Sequence, residues 1–324
     1  MSSLIESTDA RALSEYGVAI GSDPRLVQGA GGNISVKVDD TIWIKASGTR
    51  LAAALTSDIL VGLDRTAARD AVLETEALAQ FVLEGSPVGL RPSIETALHV
   101  LLPHKFVVHV HAVGSIAAGV GEDALQRISG LDPAAEFRLV PYAKPGIELA
   151  QAVATAISGI EESRAALVLM LKNHGLVVGA ESLADVSRLI SSIEDVLVSA
   201  APPVLTHGHS EREGYDKLVA SGTLEPWQAD LLDNRRPLTP DSAVFLGELP
   251  FSRDAHGATA CILEPDGSVS IKSHLGPDER EIAASMVDVA RLLRGGGDIS
   301  SLKDADIASL LDWDAEKWRK AMRR

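Results

Sequence analysis

Residues 29–45 read Gly29-Ala30-Gly31-Gly32-Asn33-Ile34-Ser35-Val36-Lys37-Val38-Asp39-Asp40-Thr41-Ile42-Trp43-Ile44-Lys45. A glycine-rich turn marks a dinucleotide-binding fold only when a helix follows the glycines directly. Here a strand follows. Two apolar-alternating runs, Ile34–Val38 and Thr41–Lys45, flank the polar pair Asp39-Asp40 and predict a β-hairpin. This excludes a Rossmann arrangement and points to an α/β fold with antiparallel pairing. The glycine loop, with Lys45-Ala46-Ser47-Gly48-Thr49-Arg50 at the hairpin's far end, gathers backbone N–H groups and polar side chains suited to an anion. A plain loop and hairpin fits the same residues equally well.

Upstream of the hairpin, Leu4, Ile5, Ala10, Leu13, Tyr16 and Val18 fall at helical spacing and predict a helix ending near Gly21. Downstream, the pattern predicts helices over 74–84 and 94–102, strands over 106–111 and 166–171, and a long helix over 181–200. The character changes after Ala201-Pro202-Pro203. A domain over 1–202 is therefore expected, with a C-terminal extension over 203–324 packed on its core. In the extension the pattern predicts a helix around 224–233, strands at 243–247 and 258–272, and a helix over 276–294. A hinge at Gly295-Gly296-Gly297 and a final helix over 312–324 complete it.

The 324 residues carry a formal net charge of −15, which argues against a nucleic-acid partner, since phosphate-backbone binding needs clustered Lys and Arg. A small anionic substrate needs only a few local donors and stays open. Cys261 is the single cysteine, so no intrachain disulfide can form, which fits a reducing compartment. With no signal-peptide pattern and no long apolar run, no membrane association is expected and the cytoplasm is the default.

Three histidines stand out. His109 and His111 in Val108-His109-Val110-His111 share one face of a strand, because side chains alternate. His174, in Lys172-Asn173-His174-Gly175, sits at a turn between two apolar strands. Three histidines with an open fourth position is the pattern of catalytic rather than structural zinc. Half-buried strand histidines and an ordinary Asn-His-Gly turn are the plainer readings. In Arg91-Pro92-Ser93-Ile94-Glu95, Pro92 and Ser93 suit a helix start, with Ser93 as N-cap. Glu95, in the first turn, either complements the helix dipole or faces the metal as a base. His99 lies one turn later on the same face, where it orients that carboxylate or merely packs. His207-Gly208-His209 reads as a solvated loop, and His104, His256 and His274 as ordinary histidines.

In this order and spacing, Gly29–Ser35, Ala46-Ser47-Gly48, Pro92-Ser93-Ile94-Glu95, His109-Val110-His111 and Asn173-His174-Gly175 resemble the class II aldolase/adducin family. The resemblance covers about residues 10–200. Beyond it, Leu238-Thr239-Pro240-Asp241 and Leu311–Lys317 are similar to the aldolase half of bifunctional rhamnulose-phosphate aldolase/alcohol dehydrogenases, with no dehydrogenase half expected. The resemblance implies a three-layer α/β/α sandwich around a mixed, largely antiparallel sheet, and a homo-oligomer, usually a tetramer. It implies His109, His111 and His174 as ligands of Zn2+ or another divalent transition metal, with Glu95 as metal-side carboxylate and acid/base. Asn33, Ser47, Gly48 and Ser93 match positions that hold a substrate phosphate.

The implied reaction is cleavage of a ketose or ketose 1-phosphate to a dihydroxyacetone-type fragment and an aldehyde, through a zinc-stabilised enediolate. A sugar-phosphate epimerase or dehydratase on the same site is the first alternative, and a non-catalytic adducin-like scaffold the second. Ile94 replaces a serine that phosphate-binding members often carry. No residue matches the family's tyrosine proton donor, since Tyr142 lies in a loop of structural character.

Overall fold

The computed structural model describes residues 8–75, 78–121, 124–160, 165–198, 212–218, 222–254, 259–293, 299–314 and 316–317. Helix α1 (Thr8–Gly21) precedes the expected hairpin, β1 (Asn33–Val38) and β2 (Thr41–Lys45), whose turn places Asp39 at φ 50°. β3 (Leu60–Asp64), α2 (Arg65–Ala71), α3 (Thr96–Leu101), β4 (Phe106–Val110), α4 (Val113–Val120) and α5 (Ala124–Ile128) follow. β5 (Ala135–Val140), α6 (Ile147–Ala156), β6 (Ala166–Leu171), β7 (Gly175–Ala180) and α7 (Leu183–Leu197) complete the first part.

Among the described residues, seven strands form one sheet in the order β3-β2-β1-β4-β7-β6-β5. Every neighbouring pair is antiparallel except β5 with β6. Strand alternation sorts the side chains between two helical layers. Ile34, Val36, Val108, Val110, Leu176 and Val178 pack toward α1 and α7. Ile42, Ile44, Val61, Leu63, Val107, Leu169 and Val177 face the opposite layer, against α2, α3 and α6. The result is an α/β/α sandwich with a mixed, largely antiparallel sheet. Its middle strand is β4, paired with β1 on one side and β7 on the other, so the His109–His111 strand is held by backbone bonds along both edges.

The C-terminal part contains β8 (Tyr215–Lys217), α8 (Pro226–Leu232), α9 (Pro240–Leu246), β9 (Phe251–Ser252), β10 (Cys261–Leu263), β11 (Val269–Lys272), α10 (Pro277–Leu292) and α11 (Asp304–Leu311). Its strands form a second sheet in the order β8-β11-β10-β9. One apolar cluster joins Val113, Ile116, Ala117 and Val120 of α4 to Ala243, Val244, Ile282, Met286, Val287 and Ile271. Helix α4 thus lies between the two parts, and no side of it is polar enough to face water.

Two expectations need correction, and others fall outside the described residues. Among the described residues, 74–84 hold only a short 3-10 turn at Leu78–Phe81, and the preceding helix α2, capped by Asp64, which accepts from Ala67 N, ends at Ala71. Val82 bridges to Leu63 and Leu83 N donates to Gly62 O, so the chain is drawn along the sheet edge where a helix would have continued. The strand at 243–247 is the helix α9. Thr239 Oγ1 accepts from Ser242 N, the Ser242 hydroxyl oxygen accepts from Thr239 N, and Pro240 opens the first turn. Of the helix over 312–324, residues 315 and 318–324 lie outside the described residues, as do Gly295-Gly296-Gly297, His207-Gly208-His209, His256 and the boundary near 202.

Candidate active site

Register places the first elements of the site. Asn33 on β1 lies opposite His109 on β4, so both project to the α3 side of the sheet. His111 follows one residue past β4. His174 stands on the β6–β7 turn, where Asn173 adopts φ 57° and Leu171 pairs with Gly175. A Cβ at Gly175 would fall 2.3 Å from the Val110 carbonyl oxygen. Only glycine lets this turn press against the end of β4 and bring His174 to the other two histidines.

The three rings converge with centroids 4.8, 4.9 and 5.1 Å apart, all buried. His111 Nε2 is 3.1 Å from His109 Nε2. Glu95 closes the group, with Oε2 3.5 Å from His109 Nε2 and Oε1 3.3 Å from His174 Nε2. Ligands 2.0–2.1 Å from a tetrahedral ion stand about 3.3–3.4 Å from one another, close to these spacings.

Hydrogen bonding fixes which ring nitrogens hold lone pairs. His109 Nδ1 lies 3.0 Å from Leu176 O, an acceptor only, so Nδ1 donates and a neutral His109 presents its lone pair at Nε2. His111 Nδ1 likewise donates to Asp241 Oδ2 at 2.9 Å. Two lone pairs facing each other at 3.1 Å repel unless a cation or proton lies between them. Glu95 Oε1 is buried with no hydrogen-bond partner. This donor set fits a divalent metal.

The electrostatics agree. Burial pushes the pKa of His174 down to about 3 and lowers that of His109, leaving both rings neutral as ligands must be. Burial works against ionisation of Glu95, but the surrounding histidines and the Asn33 amide outweigh it and hold its pKa below the usual carboxylate range. Asn33 Nδ2 donates to Glu95 Oε2 at 2.7 Å and to Ser93 Oγ at 3.2 Å. Asn33 Oδ1 accepts from His99 Nε2, and His99 Nδ1 accepts from Ser35 Oγ at 2.8 Å. His99 therefore acts on the carboxylate through Asn33, without touching it. Glu95 itself precedes α3 at φ −101°, ψ 15°, one residue before the helix and outside its first turn. Ser93 O receives Thr96 N, and Ser93 Oγ receives Glu95 N, so the turn is closed before the helix starts.

Beside the carboxylate opens a narrow cleft, and Asn33, Ser47, Gly48, Ser93 and Ile94 all line it. Ser47 Oγ is buried with no hydrogen-bond partner, whereas Ser47 N already donates to Arg91 O at 2.9 Å. In the glycine loop, Gly29 N is taken by Glu281 Oε2 at 2.7 Å and Gly31 N by Gln28 O. Much of the loop's expected anion-binding capacity is thus used inside the protein.

The family described as Class II Aldolase and Adducin N-terminal domain matches residues 13–199, more than half of the chain. The chain belongs to the class II aldolase and adducin family. Over 182 residues it is 33% identical to the uncharacterized oxidoreductase YuxG of Bacillus subtilis, a match covering 50% of this chain and 25% of that protein. Over 185 residues it is 24% identical to the L-fuculose phosphate aldolase of Methanocaldococcus jannaschii, covering 53% of this chain and 85% of the relative. A solved N-terminal class II aldolase domain from Thermoplasma acidophilum aligns at TM-score 0.49 and 24% identity, over 61% of this chain and 96% of that one.

Beyond this family match, Pro240, Asp241 and Glu316 line the cleft, and its two buried acids, Asp241 and Glu316, were not singled out from sequence. Each sits in a stretch noted above for its resemblance, but neither carries a local signal of a site. Tyr142 packs beside the C-terminal cluster, with its hydroxyl buried and without a hydrogen-bond partner, and does not line the cleft.

Proposed function

We propose that this class II aldolase/adducin family member is a metal-dependent aldehyde-lyase that cleaves a ketose to a dihydroxyacetone-type fragment and an aldehyde. One observation carries the reading: three buried imidazoles and a buried carboxylate converge beneath a polar cleft, with His111 3.1 Å from His109 and Glu95 3.5 and 3.3 Å from His109 and His174. His109, His111 and His174 would hold zinc, the metal best matched by a three-histidine set with a carboxylate beside it. Bound there, zinc supplies Lewis-acid stabilisation of the negative charge that develops beside the substrate carbonyl.

The chain's own groups account for the proton. When the C–C bond breaks, its electron pair remains on the carbon next to the carbonyl, and that carbon must then gain a proton. In the condensation direction the ionised Glu95 removes this proton; in cleavage the substrate hydroxyl that becomes the aldehyde oxygen gives up a proton, and the Glu95 carboxyl delivers one to the carbon, so that no net proton is gained or lost. Asn33 and His99 keep the carboxylate aimed, and the unpartnered Ser47 hydroxyl is available to a substrate oxygen. The cleft residues Glu95, Asp241 and Glu316 are acidic and Lys45 is basic. A bound divalent ion would offset this excess of acid charge, so the preference for an uncharged ketose over its 1-phosphate rests on Ile94, which offers no hydroxyl to a phosphate.

Zinc content and aldehyde release should be measured together for wild type and Glu95→Gln, over paired free ketoses and ketose 1-phosphates. The expected result is stoichiometric metal in both proteins, cleavage by wild type only, and higher kcat/KM for free ketoses. Loss of the general acid/base should lower kcat by about 10²–10⁴. Bound metal without cleavage of any substrate would shift the reading to an epimerase or dehydratase on the same site. Protein unable to take up metal would favour the adducin-like scaffold.

A further inference from the structure

The family match ends at residue 199, yet the histidine cluster receives a hydrogen bond acceptor from beyond it. Asp241 is the second residue of α9, in the first turn that Thr239 and Pro240 set up. Its carboxylate is buried and lies 2.9 Å from His111 Nδ1, on the side of the ring opposite His109. We infer that Asp241 is a positioning residue of the metal centre, so that the C-terminal part of the chain completes a site whose ligands all come from the N-terminal part. The inference rests on the three-histidine metal reading given above.

Geometry supports it from three directions. First, a carboxylate on Nδ1 holds that nitrogen as the donor, directs the Nε2 lone pair toward His109 and raises the ligand's basicity, as outer partners of metal-bound histidines do. His109 has only a backbone carbonyl in this role, so His111 carries the one charged partner among the two. Second, the glycine loop leaves room for the pair. A Cβ on Gly31 would fall 2.8 Å from His111 Nδ1 and 3.1 Å from Asp241 Oδ2. Third, the segment carrying Asp241 is tied to the turn carrying His174. Asn173 Nδ2 donates to Leu238 O at 2.9 Å and to Ser300 O at 3.0 Å, while Ser300 Oγ donates to Asn173 Oδ1 at 2.9 Å. Two of the three histidines are therefore set in place by contacts from residues 238–300.

The test compares full-length wild type, Asp241→Asn and Asp241→Ala, each stripped of metal and titrated with Zn2+ against a chromophoric chelator. Cobalt loading gives a visible spectrum that reports ligand geometry without requiring turnover. The inference expects zinc affinity to fall about 10- to 100-fold in Asp241→Asn, with at least as large a fall in Asp241→Ala and an altered cobalt spectrum in both. The metal-free melting temperature of the near-isosteric Asp241→Asn should stay close to wild type, which separates positioning from folding. Wild-type zinc affinity and cobalt spectrum in both variants would overturn the role of Asp241 alone. A wild-type protein that binds no zinc would overturn the metal reading and this inference with it.

Discussion

Asn33 uses both ends of its amide in the site, donating to Glu95 and accepting from His99. The family position expected to hold a phosphate is thus engaged with the carboxylate of Glu95, the acid/base proposed above. A hydrogen bond to a buried charged group contributes about 1.5–3 kcal/mol, and Asn33→Ala removes it from an ionised carboxylate that has few other donors. If the interaction matters most where Glu95 exchanges its proton, the loss should fall on kcat, by about 10- to 100-fold, with KM nearly unchanged. Steady-state kinetics on the best substrate of the ketose panel checks this. A rise in KM at constant kcat would instead return Asn33 to substrate binding. At this scale the sequence was informative where spacing alone brings residues together. His109 and His111 needed only strand alternation to share a face, whereas the turns of Glu95 and His174 left plainer readings open, and only the family resemblance joined them to the cluster. Asp241 was not, because nothing local marks a carboxylate whose partner lies in another part of the chain.

Helix α4 shows how an element can be fixed by one distant carboxylate. Glu194 on α7 accepts from Gly114 N at 2.9 Å, and from Ser115 N at 2.9 Å and Ser115 Oγ at 2.5 Å. It supplies the acceptors that Ala112, at the N-cap, cannot. Burial nevertheless raises its pKa from an ordinary 4.5 to about 6, against the pull of those hydrogen bonds. The sign follows from linkage. The folded state holds this proton more tightly than the unfolded state, so the contribution is fully present below pH 4.5 and is lost as pH rises through about 6. Its size is about 2 kcal/mol. Wild type should therefore lose roughly that much stability between about pH 4.5 and 6.5 relative to Glu194→Gln, measured by urea unfolding across the range. Parallel pH profiles in the two proteins would refute it. None of this was visible in the sequence, where Val113–Val120 is apolar apart from Ser115 and shows no single face. The strong periodicity of α7, by contrast, made that helix legible to within two or three residues at each end, over 181–200 against Leu183–Leu197. Helix α9 was misread because Ala243-Val244-Phe245-Leu246 suits a strand as well as a buried helix, and only its cap distinguishes them.

On the scale of the molecule, the two parts share more than a boundary. Arg50, at the end of the hairpin loop, pairs with Asp278 and Glu281 of α10, and Glu281 also caps Gly29 N. Beside this polar seam, Val113, Ile116 and Val120 are each at most 3% exposed, within a cluster dominated by residues after 217. Removing that cover costs about 1.5–3 kcal/mol for each such side chain, roughly 5–9 kcal/mol for the three. A whole domain is stable by only about 5–15 kcal/mol. The burial term alone can therefore exhaust the stability of a chain cut after residue 198. It would also lose Asp241, the Leu238 and Ser300 partners of Asn173, and the carboxylate that holds Gly29. We expect such a truncated chain to bind a hydrophobic dye, to melt at least 10 °C below the full chain or show no cooperative transition, and to bind zinc more weakly. Calorimetry and dye binding on the two purified proteins check the first two, and chelator competition the third. A truncated chain that melts like the full one would mean that α4 finds other cover, and the extension would then be an accessory to the fold rather than part of its core.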